Sequence, residues 1–292
     1  MREFDYRKGL QEIKNGVYAY LQPDGAWGLS NSGLIMNGDQ SMLVDTLFDL
    51  NLTKEMLGSM RAEINDGLKI QNLVITHANG DHCFGTELFE DADIITTKTC
   101  AEQMAESPPQ VLAGMLKGAH EMGELGEFLH HIFGKFTFEG INPRRPTRTF
   151  EDKLKLEIGD KEIHLIEVGP AHTRSDLLVF SPEDRIIFSG DILFIGVTPI
   201  MWAGPSTNWI KACDLMLDMD ADVFVPGHGP ITDKGGVEMV RNYLEYVRDE
   251  TLKRYEAGMN ADEAAEDIDL GVYSRWCDSE RIVVNVSTFY RE

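Results

Sequence analysis

Five short apolar runs in this chain end on an aspartate or a histidine with Gly, Thr or Pro beside it. They are VDT at 44–46, THANGDH at 76–82, GPAHTRSD at 169–176, FSGD at 188–191 and VPGHG at 225–229. This recurrence constrains the fold more than any other feature. A short apolar run bounded by turn residues reads as a buried strand. Strand ends are rigid, and the loops that leave them can aim polar side chains inward. His77, Asp81 and His82 fall on one loop, whereas His172, Asp191 and His228 arrive from far along the chain. Four histidines and two aspartates make a nitrogen and oxygen donor set that suits Zn²⁺, or iron or manganese where oxygen dominates.

The elements between these motifs read as α/β. In the first half, strands are expected at Val17–Leu21, Leu34–Met36, Ser41–Asp45, Leu73–Thr76 and Asp91–Thr96, with helices at Thr53–Asn65 and Thr99–Glu106. Met56, Leu57, Met60 and Ile64 set the helical period of the first of these. Prolines 108, 109, 143 and 146 bracket a stretch with helices expected at Val111–His120 and Leu125–Phe136, read as a helical insertion over 107–148. Its His120, His130 and His131 read as surface or capping residues. In the second half, Lys153–Ile158, Lys161–Val168, Leu177–Ser181, Arg185–Ser189 and Asp222–Val225 read as strands, and Pro205–Met219 and Gly235–Ala257 as helices. A capped helix from Asn260 to Ile268 and a helical or extended Arg281–Phe289 complete a C-terminal extension over 231–292. No low-complexity linker divides the chain, so one domain over 1–292 is expected.

Charge narrows the partners. The 292 residues carry 49 acidic and 27 basic side chains, a formal charge of −22. Nucleic-acid binding relies on Lys and Arg against phosphate, so a polyanionic partner is not expected. No apolar run reaches the about 18–20 residues needed to cross a bilayer. The opening MREFDYRKGLQEI is charged and lacks the apolar core of a signal peptide. A cytoplasmic protein without a membrane partner is the expectation, and oligomeric state is left open. Cys83, Cys100, Cys213 and Cys277 show no CxxC spacing and read as reduced, buried thiols. Cys83 follows His82, and on an extended stretch neighbouring side chains point oppositely, so Cys83 is expected to face the core.

The order THANGDH, GPAHTRSD, FSGD, VPGHG resembles the metallo-β-lactamase-fold superfamily, whose signature is an HxHxDH loop, a later His, an Asp, and a last His before Gly. The resemblance covers most of residues 15–230. It implies an α/β fold, a four-layer αββα sandwich. It implies His77 and His172 at one metal site, Asp81, His82 and His228 at a second, and Asp191 bridging both. It also implies Asp45 as the partner that holds a ligand or loop in place. One position departs from the signature: Asn79 stands where the second His of HxHxDH belongs. An amide oxygen is a poor transition-metal ligand, so the first site is weakened. Three readings stay open: one metal in the second site, two metals with Asn79 as a weak ligand or water holder, or an oxygen-tolerant metal such as iron or manganese.

The implied chemistry is hydrolysis of a small activated acyl bond (ester, lactone, thioester or β-lactam). A metal-bound hydroxide attacks, and Asp81 and Asp191 orient it. The acidic surface argues against the nucleases of the group. The alternatives are a non-haem iron protein handling oxygen or redox chemistry on the same fold, and a metal-binding module without turnover. A flavin-linked version would carry a flavodoxin-like domain that this stretch does not include. Trp27 and Trp202 are candidate walls of an apolar pocket, Arg174 a candidate contact for an anionic group, and Thr173 and Asp176 candidate anchors of the His172 loop.

Overall fold

Residues 5–292 are described by the structure, a computed structural model. The chain divides into two compact units, one made mainly of Arg7–Glu151 with Glu157–Lys161, the other of Asp152–Leu156 with Glu162–Glu292.

The first unit is built on a seven-stranded sheet whose strands follow chain order. The strands β1 (Gly9–Lys14), β2 (Val17–Leu21), β3 (Ser32–Asn37) and β4 (Gln40–Val44) form an antiparallel meander. The pairing then turns parallel, and each parallel step needs a crossover. Helix α1 (Leu50–Glu63) leads to β5 (Asn72–Val74), and the short α2 (Gly80–Cys83) leads to β6 (Asp93–Thr97). Helices α3 (Lys98–Glu106), α4 (Pro109–Gly118) and α5 (Glu124–Phe133) lead to β7 (Arg148–Phe150). Asp49 starts α1 by accepting the Leu52 N–H at 2.8 Å, and Thr53, Met56, Leu57 and Met60 form its buried stripe. That stripe joins Leu34, Leu43, Leu73, Ile75, Ile94 and Phe84 in one core. Each such side chain contributes roughly 1.5–3 kcal/mol by leaving water.

The second unit carries a five-stranded sheet in the order β12-β11-β10-β9-β8. Its strands are β8 (Lys153–Ile158), β9 (Lys161–Glu167), β10 (Leu177–Ser181), β11 (Ile186–Phe188) and β12 (Val223–Val225). β9, β10 and β11 are antiparallel, while β12 pairs parallel with β11 after the crossover helix α6 (Ser206–Asp218). β10 and β11 are buried at every position, which explains their unbroken apolar sequence. Helices α7 (Lys234–Glu256), α8 (Ala261–Asp267) and α9 (Ile282–Phe289) follow. Asn260 and Glu263 cap α8 reciprocally, at 3.0 and 2.9 Å.

Two strands were not expected from sequence. β1 is an edge strand on which only Leu10 is buried and Gln11, Glu12 and Lys14 are polar, and β7 is a short, mostly exposed edge. A loop was expected over 77–82, but residues 80–83 form the helical turn α2. The ambiguous segment 281–289 is helical from Ile282. Among the described residues no helix is long and apolar enough to cross a membrane.

Candidate metal centre

In the first unit, three polar side chains are wired to Asp45, the residue after β4. Its φ of 62° lies in the left-handed region, which aspartate tolerates better than most residues. Asp45 Oδ1 accepts the Thr76 backbone N–H at 2.7 Å. Its Oδ2 accepts the Thr76 hydroxyl at 2.7 Å and His82 Nδ1–H at 2.9 Å. Because Thr76 spends its proton on Asp45, its oxygen is the acceptor for His77 Nδ1–H at 3.0 Å. Both imidazoles are thereby fixed with the proton on Nδ1, so Nε2 is the atom each would offer a metal. Their ring centroids are 4.3 Å apart. Burial pushes the Asp45 carboxyl above its usual range, opposed by the charge and hydrogen bond of His82 and by the bonds from Thr76.

Asp81 and His82 lie on α2, with ligand atoms within 4.8 Å of one another. The Asp81 carbonyl accepts the Ser30 hydroxyl at 2.5 Å, and the His82 carbonyl accepts the Thr46 N–H at 2.8 Å, so both residues are pinned to the strand ends. Asn79 is half-buried at the head of α2, where its carbonyl accepts the His82 N–H at 3.0 Å. Cys83 packs in the apolar core, and burial first, then Cys100, Asp81 and Asp45, push its thiol well above the ordinary range. It faces the core from a helical turn, not from an extended stretch. Trp27 packs edge-on against Phe128 and Phe133 of α5. His120, His130 and His131 are exposed on the helical segment 107–148.

In the second unit, Asp191 gathers two histidines. His172 Nε2 lies 3.3 Å and His228 Nε2 3.5 Å from Asp191 Oδ2. His172 Nδ1 is 2.6 Å from the Ile200 carbonyl, which can only accept, so this ring too carries its proton on Nδ1. The His172 carbonyl in turn accepts the N–H groups of Trp202 and Ala203 at 2.9 and 3.2 Å. The glycines around His228 have distinct reasons. A Cβ on Gly227 would fall 1.9 Å from Asp191 Oδ1, and Gly229 has φ +94° with its would-be Cβ 2.0 Å from the Ile195 carbonyl. The His228 ring stacks on Phe194 with centroids 5.1 Å apart and planes 5° from parallel.

Asp176 braces the His172 loop by accepting the Thr173 N–H at 3.0 Å and the Thr173 hydroxyl at 3.0 Å. Burial raises its carboxyl, opposed by the charge of His172 and the bonds from Thr173. Arg174 is exposed. Trp202 is 46% exposed, whereas Trp209 is fully buried, donates to the Ile192 carbonyl at 2.9 Å and meets the His172 ring edge-on at 5.7 Å.

The donor set is chemically suited to a divalent cation. Imidazoles and carboxylates are borderline ligands, and each tied Nδ1 is the outer support that metal-binding histidines use. Sequence reasoning did not assign Thr76, Phe194 or the Ile200 carbonyl. Thr76 stood in plain view before His77. The other two leave no local signal, because a packing ring and a backbone carbonyl have no signature residue type.

Comparison with known proteins adds the wider context. The model of the metallo-beta-lactamase superfamily matches residues 25–228. A linear primary-alkylsulfatase of Pseudomonas sp. is 24% identical over 255 residues, 78% of this chain and 48% of that protein. A stereoselective inverting sec-alkylsulfatase from Pseudomonas sp. superposes with a TM-score of 0.75 at 15% identity, over 97% of this chain and 50% of that one. A metallo-beta-lactamase from Pontibacter korlensis gives a TM-score of 0.62 at 18% identity, over 82% of this chain and 99% of that one. These likenesses show the α/β fold of the superfamily. The chain spans about half the length of the first curated relatives it matches.

Proposed function

Because the chain belongs to the metallo-beta-lactamase superfamily, we propose that it is a metal-dependent hydrolase of a small activated acyl substrate. In this reading His77, Asp81, His82, His172, Asp191 and His228 are the ligands for one or two cations. One observation carries it: His77, His82 and His172 each have Nδ1 tied to an acceptor, so all three present the same ring atom, Nε2, as a lone-pair donor. Histidines that serve only packing have no reason to share a tautomer. The span matched by the family model contains all six residues and ends on His228.

A divalent cation bound there supplies Lewis acidity, acidifying a water and stabilising negative charge on an acyl oxygen. The chain's own residues do the rest. Asp81 and Asp191 accept hydrogen bonds from the attacking water and orient it. Asp45 and Thr76 keep His77 and His82 in the ligating tautomer, and the Ile200 carbonyl does the same for His172. Trp27 and Trp202 serve as apolar walls, and Arg174 meets an anionic group of the substrate. The Asp81, His82 and His228 set is complete, while Asn79 depletes the set of His77 and His172. Zinc therefore fills the former first, and iron or manganese compete where oxygen donors dominate.

The test is a hydrolysis panel with zinc-loaded protein: an aryl ester, a thioester, a lactone, a chromogenic β-lactam and a primary alkyl sulfate. Turnover of at least one acyl substrate is expected, falling about 10²-fold or more in Asp191→Ala and returning with zinc after chelation. Turnover of the sulfate alone would replace the acyl class with a sulfuryl one. Equal turnover in wild type and Asp191→Ala would overturn the reading.

A further inference from the structure

The C-terminal helix α9 presents an unusual face. Arg281, Asn285, Thr288 and Glu292 are spaced by four, three and four residues, which puts them on one side of the helix and the residues flanking it. That side is polar, yet it is turned to the interior: Arg281, Asn285 and Thr288 are buried. All four residues bond to one stretch, 198–206, made of an irregular segment and the first residue of α6. Arg281 Nη1 donates to the Thr198 carbonyl at 3.0 Å, and Thr288 Oγ1 to the Met201 carbonyl at 2.8 Å. Glu292 accepts the Ser206 N–H and hydroxyl, each at 2.7 Å.

Asn285 has the central place. Its Oδ1 accepts the Met201 N–H at 2.8 Å, and its Nδ2 donates to the Pro199 carbonyl at 2.8 Å and to the Tyr243 hydroxyl at 3.0 Å. The amide thus grips the backbone on both sides of Ile200, whose carbonyl receives His172 Nδ1–H at 2.6 Å. Only a planar amide supplies one acceptor and two donors in this arrangement. Aspartate has the same shape but no donor for Pro199, so its second oxygen would face a carbonyl.

We infer that Asn285 is a positioning residue for the metal ligand His172: by clamping residues 199 and 201 it orients the Ile200 carbonyl, which sets the tautomer and direction of the imidazole. This rests on the proposed role of His172 as a ligand. Outer partners of ligating histidines typically change metal affinity by about 10–100-fold when altered. Asn285 acts one step further out, and the buried, fully engaged amide transmits the constraint through rigid backbone.

The experiment loads the full chain with excess zinc, so that the depleted set of His77 and His172 is filled as well, and measures release of that more weakly held zinc to a chromogenic chelator, with thermal unfolding alongside. Asn285→Asp is expected to release zinc at least about 10-fold faster than wild type. Tyr290→Phe removes a bond from the C-terminal cap of the same helix, to the Met259 carbonyl at 3.0 Å, without removing a bond to 198–206, and is expected to match wild type. A folded Asn285→Asp that releases zinc at the wild-type rate would overturn the inference, as would a Tyr290→Phe variant equally fast. If Asn285→Asp does not fold, Thr288→Val decides: faster release supports the clamp and unchanged release overturns it. His172→Ala separates the two levels. Zinc lost there but kept in Asn285→Asp refutes the clamp alone, whereas zinc kept as tightly in His172→Ala refutes the ligand role and the clamp with it.

Discussion

Asp45 receives three hydrogens on two oxygens in a site closed to water. An asparagine there would keep one acceptor and turn an NH₂ group toward the donors of Thr76 or His82. Asp45→Asn is therefore expected to cost about 1–3 kcal/mol of stability in metal-free protein, read by urea unfolding, and to weaken zinc binding about 10–100-fold. Unchanged values in both would remove Asp45 as the organiser of His77 and His82. Gly227 gives a second test, because a methyl group there collides with the Asp191 carboxylate. Gly227→Ala is expected to lose about 1–3 kcal/mol and to retain zinc poorly, whereas wild-type retention would contradict the close approach. The thiols give a third: Cys83, Cys100 and Cys213 are buried and Cys277 is half-exposed, so a thiol reagent is expected to label Cys277 alone in native protein. Rapid labelling of Cys83 would argue that it belongs to the chemistry. At this scale the THANGDH motif is legible as it stands, since its residue types name their chemistry. The Thr76–Asp45 bond is not, because it joins residues 31 positions apart.

Among the elements, local pattern speaks clearly where burial is one-sided. α1 shows its stripe of Thr53, Met56, Leu57 and Met60, and the sequence period finds it. β1 escapes such reading because Gln11, Glu12 and Lys14 on an edge strand look like surface chain. α9 was ambiguous for the opposite reason: its buried Asn285 and Thr288 sit among apolar residues, and only the distant backbone of 198–206 explains them. Strand β2 yields a pH prediction. Tyr20 is buried, and its phenol is pushed up to about 12 by burial first and the charge of Glu55 second, against a hydrogen bond from Ser59. The unfolded chain ionises this group near pH 10. Its contribution is thus fully present below about pH 10 and is lost as pH rises from there through about 12. Stability measured by urea unfolding is expected to fall across that window, and less steeply in Tyr20→Phe. Identical slopes would show that Tyr20 does not carry the effect.

For the whole molecule, the family and its α/β fold were legible because four motifs in a fixed order exceed chance, and the family match over residues 25–228 agrees with them. Substrate class was less legible, since fold is shared across many activities and only the pocket decides. We propose that His77, Asp81, His82, His172, Asp191 and His228 are metal ligands. Metal content per chain, measured by mass spectrometry on protein purified without added metal and again after zinc loading, tests it most directly when wild type is compared with His82→Ala and Asp191→Ala. The expected result is about one to two zinc ions in the loaded wild type and a clear loss in both variants. A wild type that takes up no metal, or either variant holding the full complement, would contradict it.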